Sequence, residues 1–151
     1  MLKDLKLLLH RDLATLRREV EQYPDDASLW RVLPGIANPG GNLALHLAGN
    51  LQFFIGAQVG HSGYVRDRDR EFTVRDLPRA QVLQEIDAAA KAVDLGLTAL
   101  DPVGLAVDFP TTMGGQRVST GLFLLHLCPH LAYHLGQLNY HRRLVSSVPR
   151  Q

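Results

Sequence analysis

Cysteine, excess charge and long apolar runs are all scarce in this chain, and each shortage excludes something. Cys128 is the only cysteine, so no internal disulfide framework can form and nothing points to an oxidising compartment. Sixteen basic and fifteen acidic residues leave a formal net charge of +1. The basic residues do not gather on one side either. "RDRDRE" at residues 66–71 alternates in sign, and Arg142-Arg143 is a short pair near the end of a helical segment. A nucleic-acid footprint is a one-sided basic patch, so both stretches read as solvated surface and no nucleic-acid partner is expected. No segment reaches the ~20 apolar residues of a membrane span. The opening "MLKDLKLLLHRDL" breaks its apolar residues with charges and has no small-residue cleavage site, so no export signal is expected. A cytoplasmic protein without a membrane partner is the expectation.

What is present is enough for one ordinary domain over residues 1–151, with 46% hydrophobic residues to fill a core. Four segments carry helical period, at about residues 2–23, 41–59, 78–100 and 120–145. In the first, Leu2, Leu5, Leu9, Leu13, Leu16 and Val20 recur every three or four residues with charges between them. Pro24 and Asp25-Asp26 close it. The linker that follows carries Trp30, whose large ring is expected to pack on the helices. In the second, Leu43, Leu47, Leu51, Phe54 and Ile55 share a face, and "GHSG" ends it. The polar stretch 61–77 shows no period. Asp76 and Pro78 suit the start of the third helix, as cap and first-turn residue. Before the fourth, which Ser119 caps, Gly114-Gly115 between short β-prone runs suggests a small hairpin or irregular loop. Four long helices with moderate loops predict an all-α four-helix bundle.

The fourth segment holds the chain's most unusual feature. "LLHLCPHLAYHLGQLNYH", at residues 124–141, carries His126, His130, His134 and His141. Residues four apart on a helix lie about 40° apart around the axis and about 6 Å apart along it, so the first three nearly share a face. An i, i+4 pair can place two imidazoles on one ion. All three cannot, because His126 and His134 are about 12 Å apart along the axis. One adjacent pair can bind, with the third histidine outside the immediate shell. A catalytic metal needs about three protein ligands, and His46, among apolar residues of the second helix, is the natural third. His10, His61 and His141 are expected to face solvent. Cys128 points about 160° away from His130 and reads as a small buried hydrophobe.

These residues carry a resemblance. His130-Leu-Ala-Tyr-His134 followed by Leu135-Gly136-Gln137, with His46-Leu47 upstream, resembles the DinB/YfiT-like superfamily of small bacterial metal-binding four-helix proteins. The resemblance covers nearly the whole chain, including the irregular segment before the last helix. It implies His46, His130 and His134 as metal ligands, with His126 just outside them. It also implies a homodimer, and activity on low-molecular-weight thiols of the mycothiol or bacillithiol kind. Pro129 departs from the pattern. It lacks an N–H and crowds the carbonyl of Leu125, so a kink that re-aims His130 is expected.

Three neutral imidazoles suit a divalent transition metal, zinc by default and nickel as well, rather than calcium or magnesium. No Asp or Glu occurs in residues 41–60 or 120–145, which weighs against a hydrolase needing a general base, unless loops bring in Glu71, Asp101 or Asp108. The expectation is a metal-dependent thiol S-transferase or related thiol-using enzyme acting on a small molecule. The alternatives are a non-catalytic, stress-related metal- or ligand-binding dimer and a metal-dependent hydrolase. Asn50, one turn past His46, and Gln137 beside His134 are candidates for hydrogen bonds just outside the ligands. Tyr133 and Tyr140 read as core or interface aromatics, Arg142 and Arg143 as solvated helix-end cations. Phe53, Phe54 and Tyr140 lie off the bundle face, where a dimer would cover them.

Overall fold

The leucine spacing of the first segment becomes a helix, α1 (Leu2–Glu21), which buries Leu5, Leu9, Leu13, Leu16 and Val20. In the computed structural model, which describes residues 1–147, this stripe meets three other long helices. α3 (Gly40–Leu51) is buried along its whole length, as befits a helix that is apolar or small on every side. α5 (Arg79–Ala99) and α6 (Thr120–Ser147) complete the set. α1 packs on α5 and α6, and α3 packs on the same two. The four therefore form a ring in which α1 and α3 are diagonal partners. This is the expected bundle, and no helix among the described residues is long and apolar enough to cross a membrane.

The core sets how α6 is turned about its axis. Leu124, Leu127, Leu131 and Leu138 are all buried to 2% exposure or less, and burying each leucine stabilises by about 1.5–3 kcal/mol. At about 100° per residue, His130 and His134 then fall on one flank of this buried stripe. α6 continues past Pro129 without leaving helical conformation. Ser119 caps it as expected, accepting a hydrogen bond from the Leu122 amide at 3.2 Å.

Elsewhere the chain is more finely divided than its period suggests. The second segment is α-helical only to Leu51 and continues as a π-helix, Gln52–Ala57. There the Gln58 amide reaches back five residues to the Phe53 carbonyl at 3.0 Å. The linker after α1 contains α2 (Asp26–Leu29), closed by a capping box between Asp25 and Ser28. Asp76 does not cap α5. It adopts a left-handed φ of 61°, and the first amide of α5, on Arg79, donates to Asp26 of α2 at 3.0 Å. The polar stretch without period contains α4 (Arg68–Thr73), capped by Asp67, whose side chain accepts from the Arg70 amide. Trp30 packs into the core at 5% exposure and donates its indole N–H to the Leu77 carbonyl.

The segment before α6 is a rudimentary hairpin without a named strand. Isolated antiparallel bridges join Asp108 to Ser119 and Met113 to Gln116. Gly114 and Gly115 turn the chain between them with φ of 58° and 79°, the left-handed pair that a two-residue hairpin turn requires. Phe109, carried on this hairpin, stacks on Phe123 of α6 with ring centroids 3.9 Å apart. Phe54 packs against both rings and stays partly exposed.

Candidate metal centre

α3 and α6 lie side by side, and their facing histidines meet. His46 is buried at 6% exposure, and its Nε2 lies 3.3 Å from Nε2 of His130. The His46 ring stands edge-on to His134, with centroids 5.1 Å apart. His130 and His134 are 4.8 Å apart by the same measure. One ligand atom from each of the three lies within 4.8 Å of the others. Two nitrogens bound tetrahedrally to one zinc at ~2.1 Å each would be about 3.4 Å apart. The His46–His130 pair already matches that spacing, and no pair need close by more than about 1.4 Å. The donor set therefore fits a divalent transition ion.

The outer nitrogens of two of these rings are held. His134 Nδ1 donates to Gln137 Oε1 at 2.7 Å, leaving its Nε2 lone pair toward the cluster. His46 Nδ1 lies 2.9 Å from Glu71 Oε2. A carboxylate only accepts, so the proton of this bond sits on Nδ1 and His46 Nε2 keeps its lone pair. His130 Nδ1 is buried without a hydrogen-bond partner. Burial, reinforced by the neighbouring His134, His46, His126 and Arg66, pushes the His130 imidazole down to about 4. Burial also lowers His134, against the opposing bond from Gln137. Both shifts favour neutral imidazoles, the form that binds metal.

Glu71 reaches His46 from α4 and is itself clamped. Arg66 Nε donates to Oε1 at 2.7 Å and Arg66 Nη2 to Oε2 at 2.8 Å. Nη2 also lies 3.4 Å from His46 Nδ1. Burial alone would raise the Glu71 carboxyl, but the hydrogen bonds from His46 and Arg66 outweigh it and hold the group below its ordinary value. The far face of His46 rests on Phe72, with centroids 4.8 Å apart.

The three histidines open onto a cleft of about 480 Å³. Phe54, Phe123, Met113 and Leu127 give it an apolar side, Arg66 and Arg68 add positive charge to its lining, and no carboxylate lines it. Glu71 sits behind His46 and faces a different hollow, beside Tyr64 and Glu85. His126 lines the cleft one turn before His130, with ring centroids 6.3 Å apart. It stays outside the three-histidine cluster. Asn50 lines the cleft too, and its Oδ1 is buried without a hydrogen-bond partner.

A family model described as the DinB superfamily matches residues 8–138. The chain belongs to the DinB superfamily. A DinB-like protein from Bacillus cereus, known from its crystal structure, superposes on it with a TM-score of 0.64 at 16% sequence identity. That match covers 93% of this chain and 90% of the other. At such identity the likeness shows the fold alone. No curated protein matches the chain.

Within this DinB-superfamily chain, the fold brings together the three histidines named from the sequence, with Gln137 hydrogen-bonded to His134. The helix carrying Pro129 still delivers His130 to within 3.3 Å of His46. Among the three acidic loop residues, Glu71 alone touches a ligand candidate. Asp101 accepts from the Gly104 amide and Asp108 pairs with Arg117. His10 is half-exposed and pairs with Asp94 at 3.0 Å, and His61 is exposed. His141 overturns its expectation: it is 1% exposed. Its Nε2 donates to the Arg31 carbonyl at 2.8 Å, and its Nδ1 accepts from the Tyr23 hydroxyl at 2.8 Å. Arg142 is also no free cation, because it bonds Glu19 of α1.

Proposed function

We propose that the chain is a metal-dependent enzyme of small thiols, in which His46, His130 and His134 hold one divalent transition ion, zinc or nickel. The observation that carries this reading is the three-imidazole cluster at the wall of a small-molecule-sized cleft that no carboxylate lines. When bound, such an ion keeps its full positive charge and favours the anionic form of a thiol or water that reaches it. The chain's own part is to hold three neutral imidazoles in place and to shape the cleft. Glu71 and Gln137 fix two of the rings by their Nδ1 protons. The apolar side made by Phe54, Phe123 and Met113 suits an apolar electrophile. Hydrolysis fits less well, because the nearest carboxylate stands behind His46 and away from the cleft.

A homodimer belongs to the same reading. Leu122, Leu125, Tyr133, Tyr140 and Leu144 are each at least 46% exposed. They follow one another along α6 at intervals that keep them on one face, with Gly136 in the same row. Such a stripe suits a helix-to-helix contact with a second copy.

The test is spectroscopic. Protein reconstituted with cobalt is titrated with a panel of small thiols, among them cysteine derivatives, and then assayed with a haloarene or activated alkene. Thiol coordination should give an intense sulfur-to-cobalt charge-transfer band, and His134→Ala should abolish both band and turnover. No spectral response to any thiol would overturn the transferase reading.

A further inference from the structure

Three residues of α3 face α4, one helical turn apart from each other. Asn42 donates its amide to the carbonyls of Glu71 and Val74 at 2.8 and 3.0 Å. His46 meets the Glu71 carboxylate at 2.9 Å. At Gly49 there is no side chain, and the space is filled by Glu71. A Cβ built there would lie 2.2 Å from Glu71 Oε1 and 2.9 Å from its Cδ, and its three nearest neighbours all belong to that one side chain. The buried carboxylate is thus seated in a glycine notch and gripped by Arg66 on two oxygens. Its remaining partner is the outer nitrogen of His46.

We infer that Glu71 is a positioning residue for the metal site, held by Arg66 and the Gly49 notch so that it fixes His46 with its proton on Nδ1 and raises the affinity of His46 Nε2 for the ion. This rests on the metal reading above and adds residues to it that the three-histidine pattern does not contain. The physical basis is local. An anion that accepts the Nδ1 proton both orients the ring and makes its other nitrogen a better donor, and loss of such a partner typically weakens metal binding by about tenfold to a hundredfold. Arg66 cancels the carboxylate's charge, so the buried trio adds no net charge behind the ion. The two oxygen contacts also keep the carboxylate from turning toward the cleft as a ligand itself.

The notch makes the idea testable without removing a charge. Gly49→Ala should favour the helix, since alanine is the better helix former, yet its methyl must push the Glu71 carboxylate off its seat. Zinc affinity is measured by chelator competition on wild type, Gly49→Ala, Glu71→Gln, Glu71→Ala and the double variant Gly49→Ala/Glu71→Ala. Gly49→Ala and Glu71→Ala should each weaken zinc by about tenfold to a hundredfold. The double variant should bind no more weakly than Glu71→Ala alone, because the methyl then has nothing to displace. Long-range ¹H–¹⁵N spectra of the metal-free proteins, with His46→Ala for assignment, supply a second readout. Wild type and Glu71→Gln should show His46 protonated on Nδ1, while Gly49→Ala and Glu71→Ala should show a mixture of tautomers. Circular dichroism checks that each variant folds, and Gly49→Ala carries the test if removal of Glu71 does not leave a folded chain. Wild-type zinc affinity in folded Gly49→Ala, or an Nε2-protonated His46 in the wild type, would overturn the inference alone. A wild type that binds no zinc would overturn the metal reading and this one with it.

Discussion

His46 and His130 are 84 residues apart in sequence, yet their Nε2 atoms approach to 3.3 Å across the α3–α6 contact. That is hydrogen-bonding distance between the two rings, and it is also the spacing of two nitrogens bound to one tetrahedral ion. In the proposed site a cation takes the place of that bond, between these two rings and His134. Purified protein should therefore carry close to one transition-metal ion per chain. Elemental analysis of His46→Ala, His130→Ala and His134→Ala should find the metal lost from each. Retention in any two of them would rule out this triad. His126→Ala, one turn outside the cluster, should weaken affinity by no more than about tenfold to a hundredfold.

The ion should also hold the fold together, because its ligands come from two helices that meet only through side-chain packing. A ligand that binds only the native state stabilises by RT ln(1 + [L]/Kd), about 2.7 kcal/mol at a hundredfold excess over Kd. Chelation should lower the thermal midpoint, and restoring zinc should raise it again. The same treatment should leave the midpoint of His130→Ala unmoved. Equal midpoints for chelated and zinc-loaded wild type would contradict the site.

The histidines of the site were legible because their signal is periodic and chemically unusual. Three imidazoles at four-residue intervals on an apolar helix, with a fourth among leucines, stand out against any amphipathic pattern. Glu71 was not legible in that way. It closes "RDRDRE", which reads as solvated charge, and nothing local marks which of those charges turns inward. Its burial is decided by Gly49 and Asn42, more than twenty residues away. α2 and α4, at four and six residues, are too short for a helical period to register. The π-helical register of 52–57 leaves the apolar pattern of its segment intact, so side-chain spacing alone cannot reveal it. His141 was misread for a related reason. A polar residue near the end of a helix looks solvated until Tyr23 and the Arg31 carbonyl, over a hundred residues earlier, supply both of its partners.

The exposed stripe of α6 leads to a prediction about assembly. Tyr140 is 71% exposed and Tyr133 65%, and both lie in the row that the proposed dimer would cover. Light scattering at micromolar concentration should give about twice the chain mass of 16.7 kDa. Tyr140→Glu together with Leu144→Glu should return the protein to a monomer while leaving its helical content unchanged. A wild type that scatters as a monomer would remove the dimer from the functional reading.

His141 gives the chain a pH-dependent element of stability away from the metal. Burial lowers its ionisation below the ordinary histidine value, against the opposing hydrogen bond to the Arg31 carbonyl. The unfolded chain, with this histidine near ~6.5, binds more protons than the folded one at pH values between the two. Stability therefore rises with pH across that window. The contribution is fully present above about pH 6.5 and is lost as pH falls from there through the lowered folded value. His141→Phe cannot take up the proton. It leaves the Arg31 carbonyl without its donor, at a cost of about 1–3 kcal/mol for a group that stays unsatisfied, and leaves the Tyr23 hydroxyl only its longer bond to the Leu138 carbonyl. Urea unfolding of the metal-free proteins between pH 5 and 8 should show His141→Phe less stable at every pH, with a shallower decline on the acid side than wild type. His130 and His134 stay in both proteins, so the difference in slope isolates His141. Parallel curves for the two proteins would mean that His141 keeps the same ionisation folded and unfolded, and would overturn its assignment as a buried neutral ring.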